Sequence, residues 1–125
     1  MNQVNFYEIK LAFEIDCWDL NEIIKAGENV IVLDVRQASS YHKKHIKGAV
    51  NYPHKNITAD NLSDFNEHVL YVTYCDGVGC NAATNGALKL AKLGLNVKEL
   101  IGGLSWWSDH GYPTVLEQAP ACAAS

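Results

Sequence analysis

No stretch of the chain approaches the roughly 18 consecutive apolar residues of a membrane span. The start, MNQVNFYEIKLAFEID, lacks the cationic and apolar blocks of a secretory signal. Both absences lead to the expectation of a cytoplasmic protein without a membrane partner. Cysteine is sparse and unpatterned: the four residues, Cys17, Cys75, Cys80 and Cys122, form no C-x2-C pair and repeat no spacing. That fits neither a zinc ribbon nor a small secreted disulfide framework, so at least one free thiol is expected. Cations are also few. Ten Lys and Arg stand against 14 Asp and Glu, a formal charge of -4, which argues against a nucleic-acid partner, since neutralising phosphates needs clustered excess cations. Five histidines leave the net field weak and pH-sensitive around neutrality. There is no internal repeat and no interdomain linker.

What is present is the composition of one globular domain, with 125 residues, 48% hydrophobic and 19% charged. Such a chain buries roughly two thirds of its unfolded surface, enough for a core that needs no metal or disulfide. Between Asn5 and Gly27 apolar residues recur at mixed spacings of three and four, predicting two helices. Asp16 caps the second, Asp19 lies in its first turn and Gly27 ends it. The run Val30–Val35 reads as a strand buried on both faces, as in a parallel sheet. A helical stretch from Ala38 to Lys44 follows, then a turn and short strand over Gly48–Pro53. Thr58 is expected to cap a helix through about Asn66. His68–Tyr74 is a second buried strand, Asn81–Leu93 a helix stopped by Gly94, and Val97–Leu100 a further strand. A turn at Gly102-Gly103, a last helix over Leu104–His110 and a closing turn at Gly111-Tyr112-Pro113 complete the order. Strands separated by helices predict an α/β domain with a mainly parallel sheet. Residues 1–29 are expected to be a helical segment packed on a core at 30–115, with 116–125 a flexible tail.

The chemistry is expected where a strand meets Cys75, a glycine-bearing loop and a helix. In open α/β sheets, sites form beyond the carboxyl ends of strands, and such a loop can aim several backbone N–H groups at one anionic atom. Gly77 and Gly79 let the backbone curl, and the helix dipole favours a thiolate. The plainer alternative is a cysteine that ends a buried strand, since free cysteine is among the most buried residue types. A nucleotide P-loop fits poorly because no Gly-Lys-Ser/Thr ending follows. Zinc fits less well, since no second ligand pair accompanies Cys75 and Cys80.

Four runs, LDVR at 33–36, HIKGAVNYP at 45–53, YCDGVGCN at 74–81 and ELIGGLSWWSDHGYPT at 99–114, resemble in order the signatures of the rhodanese (sulfurtransferase) family. The resemblance implies a single-domain form of that fold, a central, mainly parallel sheet flanked by helices on both faces. It implies that Cys75 accepts sulfane sulfur, holds it as a persulfide and yields it to a thiol, cyanide or a protein acceptor. It also implies that Asp76, Gly77, Val78, Gly79 and Cys80 cradle the terminal sulfur, with no metal and no other cofactor. A noncatalytic rhodanese-like module, binding a protein or sensing oxidants, is the alternative. Family loops often carry Arg or Lys, whereas this one carries none and sets Asp76 beside the nucleophile, so thiosulfate is expected to be a poor donor. Related phosphatase and arsenate reductase activities are disfavoured, because Asn81 stands where an oxyanion-binding Arg is needed.

Asp34 and Arg36 are expected to fix the fold as an ion pair, with support of the site as a second role; Asn81 is a third supporting candidate. His45 reads as a structural histidine, and Lys43, Lys44 and Lys47 as a solvated helix face. Trp106 and Trp107 are expected to divide between core and pocket rim, with Cys17 in the helix core and Cys122 on an exposed tail. Cys80 is either a small helix-start residue or a second thiol able to attack a Cys75 persulfide.

Overall fold

The computed structural model describes residues 2–77 and 79–117; the tail expected to be frayed, with Cys122, lies beyond them except at its first residues, and so does Val78. Helix α1 (Gln3–Phe13) starts where the Asn2 side chain accepts from the Asn5 amide at 2.8 Å, and α2 (Cys17–Lys25) where Asp16 does the same for Asp19. Each cap satisfies an amide that has no partner inside its helix. Between them lies β1 (Glu14–Ile15), a two-residue strand that the sequence did not announce, because its hydrogen-bonding partner is far along the chain. α1 itself buries none of its residues.

Strands β2 (Val30–Asp34), β4 (Val50–Asn51), β5 (Leu70–Tyr74) and β6 (Asn96–Leu100) join β1 in one sheet of order β1-β6-β5-β2-β4, in which every pair is parallel. The two edges, β1 and β4, are two residues long, whereas the inner strands have five. Side chains alternate between faces. Val32, Val72 and Tyr74 face Leu20 and Trp107 from α2 and α5 (Gly103–Asp109), and Leu33, Val35 and Tyr71 face Ala83 and Leu90 from α4 (Ala82–Lys92). Both faces are therefore covered by helices, which is why the strands read as continuous apolar runs. Each fully buried Leu or Val contributes roughly 1.5–3 kcal/mol. Gly86 permits the close approach of α4: a Cβ there would sit 3.0 Å from Val35.

Three local expectations are corrected. The helix expected after Thr58 is a 3-10 segment, Ala59–Asp64, and the Thr58 side chain makes no capping bond. The segment buries none of its own residues and so has no apolar stripe to hold an α-helix; only the flanking Ile57 and Phe65 turn inward. The helical stretch α3 ends at Lys43 (Ala38–Lys43), because Lys44–Ile46 forms β3. Its antiparallel partner, β7 (Thr114–Leu116), follows the expected closing turn. No helix among the described residues is long and apolar enough to cross a membrane.

Candidate active site

β2 and β5 are neighbours in register, with Asp34 opposite Tyr74. After β2 the chain departs toward β4, and after β5 toward β6, on the other side. The crevice beyond these two carboxyl ends is the switch point where open α/β sheets place their sites. Two residues past each strand end stand Arg36 and Asp76.

Cys75 follows β5 directly and is 3% exposed. Its backbone is held from α5: Leu104 N–H donates to the Cys75 carbonyl at 2.9 Å and Ser105 N–H to the Asp76 carbonyl at 2.8 Å. The first amides of a helix lack partners within it, and here the loop carbonyls supply them. The approach is so close that a Cβ on Gly103, at φ +58°, would lie 2.4 Å from the Cys75 carbonyl oxygen. A Cβ on Gly77 would lie 3.1 Å from Ser105 Oγ. The loop then turns through Gly79 at φ +96°, with Cys80 N–H donating to the Gly77 carbonyl at 3.2 Å. Asn81 occupies the N-cap position of α4, exposed and without a side-chain capping bond.

The thiol is not the stabilised thiolate that loop and helix predicted. Cys75 Sγ–H donates to the Cys80 carbonyl at 3.2 Å. Burial, reinforced by the Cys80 thiol, pushes Cys75 up to about 11, and the backbone amides of Ala83 and Gly77 pull against this without prevailing. In this loop conformation a carbonyl dipole, which opposes negative sulfur, sits where an amide was expected.

Asp76 is likewise not a lone carboxylate. Arg36, the single arginine of the chain, donates to Asp76 Oδ1 from Nη1 at 2.8 Å. Its Nε and Nη2 are fixed on the fully buried Asp34, with Nη2 to Oδ2 at 2.6 Å, and Nη2 also reaches the Lys44 carbonyl. Tyr74 Oη–H donates to Asp34 Oδ2 at 2.7 Å and accepts from Ile46 N–H. Burial works against the Arg36 charge, yet the Asp34 and Asp76 carboxylates raise its pKa above the usual guanidinium range. Asp34 and Arg36 thus fix the strand end and also tether the loop.

A cavity of about 380 Å³ opens on Cys75, bounded by Gly77, Cys80, Ala83 and Gly103, with Glu14 and Glu99 in its walls and no Lys or Arg. A second cleft, of about 330 Å³, lies across the loop among Arg36, His54, Lys55, Asp76 and Cys80. Cys80 borders both. A larger cavity of about 810 Å³ between α1 and α2 shares no lining with this loop. Lys43, Lys44 and Lys47 line none of these spaces, and Lys44 Nζ donates to Ser108. His45 is structural: its Nδ1 hydrogen-bonds the Tyr41 carbonyl and its ring stacks on Tyr41. Trp107 is in the core and Trp106 exposed, and Cys17 is buried on the sheet face opposite Cys75. Sequence reading missed Gly103 and Ser105 as supports, although the paired glycines marked a tight turn. Nothing in the sequence placed Glu14 or Glu99 in the cavity.

Residues 18–110 match the family model of the rhodanese-like domain. The crystal structure of the BH2092 protein from Bacillus halodurans aligns with a TM-score of 0.85 at 39% identity, covering 91% of this chain and 84% of that one. The HTH-type transcriptional regulator Rv0324 of Mycobacterium tuberculosis is 36% identical over 77% of this chain, which spans 41% of the regulator. Thiosulfate sulfurtransferase 16, chloroplastic, of Arabidopsis thaliana is 33% identical over 75% of this chain and 85% of its own length.

Proposed function

The chain belongs to the rhodanese-like domain family, and from that premise we propose that it is a sulfurtransferase carrying sulfane sulfur on Cys75. One observation carries the reading: a buried cysteine directly follows the central strand β5 at the switch point, in a loop tethered by α5 and Arg36, and lines a cavity. In the first half-reaction the Cys75 thiolate attacks the sulfane sulfur of a donor. The donor S–S bond breaks, its electron pair leaves on the donor fragment, and Cys75 becomes a persulfide. In the second, a thiolate or cyanide attacks the terminal sulfur and the pair returns to Cys75. Neither step needs a metal or redox cofactor. Deprotonation removes the donor of the Cys75 to Cys80 carbonyl bond and leaves that carbonyl free to turn aside about the Cys80–Asn81 peptide. The amides of Gly77 and Ala83 are then the nearest stabilisers of negative sulfur.

A noncatalytic, oxidant-sensing or binding module is the second reading. It is favoured by the neutral, carbonyl-bonded thiol and by the similarity to part of a transcriptional regulator. Intact-mass analysis after exposure to sulfane-sulfur donors, followed by a thiol acceptor, separates the two. The sulfurtransferase reading expects a reductant-labile gain of one sulfur that Cys75→Ser lacks, discharged over many turnovers. A Cys75 that never loads, or a Cys75→Ser variant that transfers normally, overturns it.

A further inference from the structure

Two thiols share the α4-side core and its cavity. The Cys75 Sγ lies 3.2 Å from the Cys80 carbonyl oxygen. A carbonyl oxygen is about 2.4 Å from its own Cα by standard backbone dimensions, so the Cys80 Cα is within about 6 Å of the Cys75 sulfur. The turn closed by Cys80 N–H on the Gly77 carbonyl, with Gly79 in the left-handed region, brings the two cysteines of this five-residue separation together. The Cys80 thiol itself acts on Cys75 as a side-chain hydrogen-bonding neighbour, and the flanking glycines give the loop the freedom to settle into the Cα separation of roughly 4.4–6.8 Å that a disulfide requires. Cys17, the remaining cysteine among the described residues, is packed on the other face of the sheet and cannot compete. Cys80 also differs from Cys75 in access. Cys75 is buried and opens on one cavity, whereas Cys80 is half-buried and borders the clefts on both sides of the loop.

From this juxtaposition we propose that Cys80 resolves a Cys75 persulfide by attacking Cys75 Sγ, so that the protein also reduces sulfane sulfur to hydrosulfide. The inference rests on the sulfurtransferase reading. The step balances: Cys75–S–SH and the Cys80 thiolate give a Cys75–Cys80 disulfide and HS⁻. One S–S bond forms and one breaks, and the electron pair leaves on hydrosulfide. The sulfane sulfur is reduced while the two cysteine sulfurs take up the oxidation, without an outside oxidant. A dithiol reductant reopens the disulfide for another cycle, and the accessible Cys80 is the sulfur it meets first.

The whole chain is loaded with inorganic polysulfide, desalted into thiol-free buffer and followed by intact mass and sulfide determination. The wild type is expected to gain one sulfur, then to lose that sulfur and two hydrogens, releasing about one equivalent of sulfide. After blocking of free thiols, the Asn56–Lys89 tryptic peptide then carries an internal disulfide removed by reductant. Cys80→Ser and Cys80→Ala are expected to hold the persulfide at least tenfold longer and to release sulfide only when an external thiol is added. A wild type that keeps its added sulfur as long as these variants overturns the inference while leaving the sulfurtransferase reading intact. Failure of all forms to load Cys75 overturns both.

Discussion

Arg36 grips Asp76 across 2.8 Å with one edge of its guanidinium while the other edge is locked on buried Asp34. The two strand ends that frame the site are therefore joined by one side chain. The loop carboxylate is also half of an ion pair, which alters what its charge can do to an anionic donor.

Replacing Arg36 by Gln strands Asp34 in the core. Removing one partner of a buried pair costs about 3–5 kcal/mol, and chemical denaturation should show a loss of that order. Arg36→Lys is expected to recover only part of it, because an ammonium cannot reproduce the fork that holds Asp34, Asp76 and the Lys44 carbonyl together. Equal stability of Arg36→Gln and wild type would contradict the assignment.

Asp76→Asn is expected to be mild. The side chain is 69% exposed and its charge already faces Arg36, so stability should fall by no more than about 1 kcal/mol. The change in thiosulfate kcat/KM should stay within about threefold, below the tenfold that about 1.4 kcal/mol of relieved repulsion would give. A tenfold gain that vanishes in high salt would mean that the unpaired charge inferred from sequence, and not the ion pair, governs the loop.

Gly103→Ala tests the seat of the loop on α5. Its Cβ would meet the Cys75 carbonyl at 2.4 Å in a left-handed backbone, and a cost of at least about 2 kcal/mol is expected. Sulfur loading of Cys75 should fall even at temperatures where the variant is folded. Gly111→Ala, at φ +76° with open space around the new Cβ, is the control: about 1 kcal/mol of strain and unchanged loading.

The buried thiol sets a pH dependence. With Cys75 at about 11, the reactive thiolate is the minor form throughout the neutral range and grows about tenfold per pH unit. Iodoacetamide alkylation of Cys75, followed by site-resolved mass mapping, should rise with unit slope from about pH 7 to pH 10 without a plateau. A plateau near neutrality would mean that the loop amides already face the sulfur.

Much of this arrangement was legible in the chain because it is local. Apolar runs over Val30–Val35 and His68–Tyr74 located the strands, which run Val30–Asp34 and Leu70–Tyr74, and the glycines around Cys75 and at 102–103 marked the turns. The pairing of Asp34 with Arg36 was readable because the two lie on one strand end. What escaped depends on partners distant in sequence. β1 and β3 are short segments defined by their pairing with β6 and β7, and Arg36 meets Asp76 only because β2 and β5 are in register. The protonation of Cys75 escaped for a different reason: the orientation of one carbonyl, at Cys80, and the depth of burial decide it.

The rim of the sheet has a consequence for the order in which it comes apart. Strands two residues long on both flanks offer another chain only a very short row of their own free N–H and C=O groups to extend. They also open first. β4 and β1 can fray and reclose while β2 and β5, each paired on both sides, remain intact, so amide hydrogens should exchange from the flanks inward. The slowest protons in the molecule are then expected in the strands that lead into Cys75 and Arg36, which keeps the reactive loop anchored through every partial opening short of global unfolding.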